Sequence, residues 1–295
     1  MSWIKERLGW SEVVAKGRRA IWRPLLAEFI GNMFLNLLGC ASVVVLNETG
    51  SSSNLLISLT FGLVLASVVQ VVCHVSGGHI NPAVTIAMMV TSNITIIKGV
   101  LYIVVQCLGS VVGSAILRAL TPVNLGGNLG MTTVHHMLDP LQGFGMEFFL
   151  GFLLLFVIFA VCDPHRDDVK GSAPLAIGLA VAACHFSAIN YTGSSINPAR
   201  TFGSAVVSGI WDNQWVYWLG PILGGIAAAL IYKHCLAAPA PTSRSQGDTD
   251  YSPVRVEEKE DDETKFMAAV VEPEVTKVHV PLQCRIQNNF ILAIY

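Results

Sequence analysis

Gly77-Gly78-His79-Ile80-Asn81-Pro82-Ala83-Val84 and Tyr191-Thr192-Gly193-Ser194-Ser195-Ile196-Asn197-Pro198-Ala199-Arg200 place the tripeptide Asn-Pro-Ala twice in one chain. Each copy follows an apolar span and opens a short apolar stretch. One such tripeptide says little. Two, in matching places of a hydrophobic chain, point to an internally duplicated membrane protein whose working site lies where the halves meet.

The flanking sequence repeats in step. Glu28-Phe29 lies 53 residues before Asn81, and Glu147-Phe148 lies 50 before Asn197. Phe61-Gly62-Leu63 and Ile177-Gly178-Leu179 each lie 20 before their Asn. Of the 295 residues 53% are hydrophobic and 13% charged, against about 25% charged in soluble domains. Mean hydropathy is +0.57. Runs of about twenty apolar residues suit a hydrocarbon core of roughly 30 Å. We read spans at 25–46, 55–73, 98–119, 145–163, 174–190 and 215–236. The stretches 81–91 and 197–208 are too short to cross and read as half-helices. Each half holds three spans, an odd number, so the second half inserts upside down. The expected fold is an all-α membrane protein of six transmembrane helices and two re-entrant half-helices, built as an inverted repeat (about 25–119 and 145–236).

Lys5, Arg7, Lys16, Arg18, Arg19 and Arg23 precede the first span, and Arg166 and Lys170 lie in the 164–173 loop. The 47–54 loop has no Lys or Arg. The positive-inside rule then puts residues 1–24 in the cytoplasm, and six spans return the tail there too. No cleavable signal peptide is read in the first 24 residues. Residues 1–236 carry 12 Lys/Arg against 10 Asp/Glu, whereas 237–295 carry 6 against 10. That acidic tail, with Ala-Pro-Ala-Pro and many Ser and Thr, reads as disordered; its apolar end at 288–295 is too short to span. The seven cysteines show no paired spacing and read as free thiols, not a metal site or disulfide framework. No cofactor and no nucleic-acid partner are expected; the lipid bilayer is.

Asn is a favoured N-cap and Pro suits the first helical position. Two half-helix N-termini meeting at mid-membrane aim their partial positive charges at one spot, where the Asn81 and Asn197 amides offer N–H donors. Simple capping is the competing reading of both.

These motifs closely resemble the aquaporin family (major intrinsic proteins), over residues 20–236. The resemblance implies a homotetramer with one pore per subunit and passive conduction of water or small neutral solutes. It implies a narrow filter at Phe61, His185, Ser194 and Arg200. The repeat breaks its own symmetry there: Arg200 matches Val84, His185 matches Val69 and Phe61 matches Ile177. A charge inside an apolar body is expensive and usually functional. His185 and Arg200 are expected to donate hydrogen bonds to passing water, and Arg200 to repel cations. Core packing, a satisfied buried histidine and a structural ion pair are the alternatives for the three residues singly.

Ser194 stands where water-pore members have Cys, the usual mercury target, so weak mercury block is expected, with Cys73 as a second target. Thr201, Ala205, Tyr217 and Trp218 depart from the glycerol-conducting pattern and favour water. Glu28 and Glu147, one per half, read either as a proton-carrying pair or, as the resemblance implies, as acceptors for half-helix loop N–H groups. His74 is expected at the inner pore mouth as a candidate gate. Asn47-Glu48-Thr49 is a glycosylation sequon in an expected external loop.

The sequence thus favours a passive, water-selective channel of the cell membrane, excluding ions and protons. A channel that also passes urea or glycerol, a low-conductance junction or adhesion protein, and a coupled transporter are alternatives. The last would want ionisable groups at the midplane. No catalytic constellation is present, so an enzyme is not expected.

Overall fold

The computed structural model describes residues 6–17, 20–44, 53–123, 127–166, 168 and 171–239. All of these belong to one compact unit, Met1–Thr242. The Asn47 sequon, Cys284 and the tail from 240 onward lie outside the described residues.

After a short helix α1 (Trp10–Val13), the first half contains α2 (Trp22–Ala41), α3 (Asn54–Ser76), α4 (Pro82–Val90) and α5 (Ile96–Leu120). The second contains α6 (Pro140–Val161), α7 (Ala173–Thr192), α8 (Pro198–Ser208) and α9 (Gln214–Ile231). There are no strands among the described residues. Six helices are long and apolar enough to span a bilayer: α2, α3, α5, α6, α7, and α9 with its continuation to Leu236. The nine residues of α4 and eleven of α8 rise roughly 14 and 17 Å, about half the apolar core.

The first span ends at Ala41, five residues before the expected boundary. Apolarity continues through Val43 and Val44, but tight turns close the helix: Val43 N–H donates to Cys40 O, and Ser42 Oγ to Gly39 O. The fourth span starts at Pro140, five residues early. There Asp139 and Gln142 form a reciprocal capping box and Pro140 occupies the first turn. The last helix runs into a π-turn, Tyr232–Leu236.

Packing is symmetric. α2 lies against α5 and α6 against α9, while α3 and α7 pair across the two halves. A Cβ on Gly62 would sit 2.5 Å from Gly178 O, and one on Gly178 would sit 2.4 Å from Gly62 O. Only glycine allows these backbones so close, which sets the crossing point. Each half-helix packs on the third span of the other half: α4 on α9, α8 on α5. The loops before α4 and α8 are thereby brought face to face.

Candidate functional site

The two half-helices start alike, and Asn197 Oδ1 also accepts from Arg200 N–H at 3.3 Å. Asn81 Oδ1 accepts from Ala83 N–H at 2.8 Å, and Asn197 Oδ1 accepts from Ala199 N–H at 3.0 Å. Each amide then crosses to the other half. Asn81 Nδ2 donates to Ile196 O at 3.1 Å, and Asn197 Nδ2 donates to Ile80 O at 2.7 Å. Capping and pore-facing are thus not alternatives: the oxygen caps and the nitrogen reaches across. Each Nδ2 has a second N–H, and both Asn residues line a narrow central cavity.

Ile80 and Ile196 present those carbonyls from left-handed backbone, with φ of 51° and 60°. A β-branched residue there is strained, by about 1–3 kcal/mol. Buried carboxylates hold the strained turns. Glu28 accepts from the N–H groups of His79 (2.9 Å) and Ile80 (2.6 Å), from Ser76 Oγ and from Gln106 Nε2. Glu147 accepts from the N–H groups of Ser195 (2.9 Å) and Ile196 (2.8 Å) and from Thr192 Oγ1. Tyr102 and Tyr217 hydroxyls donate to Ser76 O and Thr192 O, one step further back. Ser76 and Thr192 each lie five residues before their Asn. That matched spacing was a readable signal, and the sequence reading passed over it.

The cavity between the loops leaves ≈ 30 Å³ for water-sized spheres, room for about two waters at the ~10–15 Å³ one needs. At one end Phe61 and His185 stack, ring centroids 4.5 Å apart, and the Arg200 guanidinium lies 5.1 Å from the Phe61 centroid. Arg200 is 3% exposed, yet its Nε and Nη1 have no protein partner, and neither does His185 Nε2. Buried polar groups are seldom left so. Here the three atoms belong to two side chains, His185 and Arg200, that both line the one narrow cavity.

One expectation changes. His185 Nδ1 is 3.0 Å from Val181 O, and a carbonyl only accepts. The ring N–H is therefore spent on the helix, and Nε2 of the neutral ring is an acceptor rather than a donor.

Other candidate residues are placed differently from the cavity. Ser194 is fully buried, its Oγ unpartnered, and its side chain lines no cavity described in this structure; Ser195 does. Thr201 is buried behind the loop, bonded to the Thr132 and Ser195 hydroxyls. Ala205 and Tyr217 are also fully buried, and Trp218 packs edge-on against Phe202. His74 is exposed and opens on a separate cavity bounded by Arg23 and Lys98, so it is not at the narrow pore. On the first loop it is His79 that lines the narrow cavity, with Nδ1 3.1 Å from Thr85 Oγ1. Cys73 is exposed and is not among the narrow cavity's lining residues.

The sequence profile of the family described as "MIP: Major intrinsic protein" matches residues 16–232. The chain belongs to the major intrinsic protein family. It is 49% identical to Aquaporin-4 of Mus musculus over 221 residues, 73% of this chain and 68% of that one. It is 41% identical to human Aquaporin-1 over 226 residues, 75% and 84% of the two chains. The X-ray structure of the aquaglyceroporin from Plasmodium falciparum superposes with a TM-score of 0.68 at 24% identity, covering 73% of this chain and 97% of that one. That likeness is one of fold. As a major intrinsic protein the chain is a multi-pass membrane channel of the aquaporin type and not an enzyme.

Proposed function

We propose that this chain conducts water passively and selectively, through a file that crosses the paired Asn residues and the Phe61–His185–Arg200 constriction. The convergence of unpartnered buried groups on a cavity only a few waters in size carries this reading. Its relatives' name, aquaporin, supports it. Water entering the constriction meets N–H donors of Arg200 and the acceptor Nε2 of His185, which replace bonds left in bulk. At the centre the second N–H of each Asn serves the water oxygen. The N-terminal ends of α4 and α8 and the Arg200 charge together oppose hydronium and other cations.

Glu28 and Glu147 act as fixed acceptors for the loops, since every bond to them comes from a structural donor. Thr201, Ala205, Tyr217 and Trp218 act indirectly, through the packing of α8 and its loop. Ser194 puts a hydroxyl, and no thiol, at this position of the loop. The assembly is a homotetramer in the cell membrane, with residues 1–24 and the tail cytoplasmic; the basic residues before α2 support that orientation.

Stopped-flow light scattering on proteoliposomes tests this reading. Rapid, low-activation-energy water flux without glycerol or urea flux is expected. Flux equal to that of empty liposomes would overturn it, and rapid glycerol flux would replace it with the broader solute channel.

A further inference from the structure

Away from the pore, α8 packs on α5 and α2, and the seam between α2 and α5 is polar. Asn32, Asn36, Ser110 and Ser114 are all fully buried in it. Asn36 Nδ2 donates to Ser114 Oγ at 3.0 Å and to the Arg200 carbonyl at 3.1 Å, which uses both N–H groups of the amide. Arg200 is thus gripped on both sides of its own Cα. The Asn197 cap takes its N–H and Asn36 takes its carbonyl. Asn32, one turn earlier, makes no such link: it donates to Glu28 O at 3.0 Å and accepts from Ser110 Oγ at 3.4 Å, within α2 and α5.

The other half of the molecule shows what a half-helix needs when it carries no charge. Eight residues after Glu28 stands Asn36, and eight after Glu147 stands Leu155. The register that matches Gln106 with Pro221 matches Ser114 with Ala229, and Arg200 with Val84. Leu155 and Ala229 are fully buried and offer no side-chain donor. A half-helix therefore seats without this bond, and the bond is present only where the first turn carries the arginine. It also has a cost: Asn36 Oδ1 is buried without a partner, a desolvated acceptor that stability alone would replace with leucine. Arg200 Nε and Nη1 have no protein partner either, so the guanidinium is placed largely through its backbone.

We propose that Asn36 is a positioning residue for selectivity: it fixes the Arg200 backbone and, through it, the gap between the guanidinium and the stacked Phe61–His185 pair. Its consequence for flux rests on the water-channel reading above; its effect on Arg200 does not.

Asn36→Leu installs the side chain of the other half at nearly equal volume, and Asn32→Leu is the matched loss one turn earlier. Both should lower the unfolding temperature. In proteoliposomes Asn36→Leu is expected to raise the glycerol-to-water permeability ratio about fivefold, the factor carried by one neutral hydrogen bond, and Asn32→Leu to leave the ratio unchanged. Asn36→Ser, whose hydroxyl is too short to span both partners, takes the place of Asn36→Leu if the latter does not fold. NMR of the solubilised protein reports the position of Arg200 directly. Its Nε–H proton, assigned by its loss in Arg200→Lys, is shifted by the Phe61 ring, whose centroid lies 5.1 Å from the guanidinium. That shift should shrink in Asn36→Leu and persist in Asn32→Leu. Ratio and shift both unmoved in Asn36→Leu, a change in only one of them, or equal changes in Asn32→Leu would overturn the role. If the protein passes no water, the channel reading fails, and the Arg200 resonance alone decides whether Asn36 positions it.

Discussion

The loop before α4 and the loop before α8 share one scaffold and differ in chemistry. Both have a carboxylate on two successive N–H groups, a hydroxyl five residues before Asn, a tyrosine behind it, and an Ile in left-handed backbone. The first half then lines its side with Val69 and Val84, and the second with His185 and Arg200. Duplication has kept what holds the backbone and let the pore-lining side chains diverge. A strained turn fails without its anchors, whereas a lining residue answers only to the solute.

The anchors themselves differ at one point, and this gives the largest expected effect. Gln106 supplies a fourth donor to Glu28 and keeps its own buried Oε1 unpartnered; Pro221 lies at the equivalent position of α9. Glu147→Gln turns an amide N–H against backbone donors and should cost about 3–5 kcal/mol, the scale of a broken buried charged contact. Glu28→Gln should cost clearly less, because Gln106 can rotate its amide and offer Oε1. Thermal unfolding in detergent compares the two; equal losses would mean that Gln106 gives no relief.

Making the second half resemble the first comes next. His185→Val with Arg200→Val removes the narrow ring while leaving Glu147 and its bonds in place. Glycerol flux should rise about tenfold or more, equivalent to ~1.4 kcal/mol off its barrier, with water flux retained. Glycerol flux that stays at the liposome background would place selectivity elsewhere.

The Asn residues should show the opposite behaviour, namely equality. Each caps its own half-helix and bonds the other loop. Asn81→Ala and Asn197→Ala should therefore lose similar stability, each about 0.5–2 kcal/mol for the cap plus one cross-bond. A difference well outside that range would break the proposed equivalence.

The smallest effects concern the outer ends. The C-terminus of α4 is held by cations from both flanks of the chain: Arg7 donates to Met89 O, and Lys233 Nζ to Thr91 O at 2.9 Å. α8 ends instead on Gly209 in left-handed backbone. Asp163 secures the segment that carries Lys233, accepting from Tyr232 OH and Ala238 N–H, each at 2.9 Å. The Ala238 N–H, then the His165 N–H, hold the Asp163 carboxyl below the ordinary carboxylate range. A depressed folded-state pKa means stabilisation that is present above the unfolded value, about 3.9, and lost as pH falls below it. Exchange protection at Ala238 should thus hold at neutral pH and fade below about pH 4. Asp163→Asn should remove that acid dependence while leaving water flux unchanged.

Legibility followed sequence distance. The doubled motif and the matched offsets of Glu28 and Glu147 located both half-helices and their anchors, because local capping rules and apolar length act within a few turns. Ser76 and Thr192 could have been found by the same register. His74 opens on a separate cavity while the following turn carries His79 to the narrow one, a difference that closeness to Asn81 along the chain does not reveal. Gln106 offered no sequence signal, since a lone Gln in an apolar span has many uses.

What the sequence determined by itself was the span count, the inverted repeat and the two capped half-helices. Hydrocarbon thickness and the demand that every backbone polar group be satisfied leave few other arrangements. Only the tertiary structure decided that Phe61, from α3, and His185, from α7, stack beside Arg200 of α8, and that His185 presents an acceptor. It also decided that the two Asn amides bond across the halves. These outcomes depend on where Gly62 and Gly178 let two helices cross and on which N–H the Val181 carbonyl takes, contacts that no local pattern encodes.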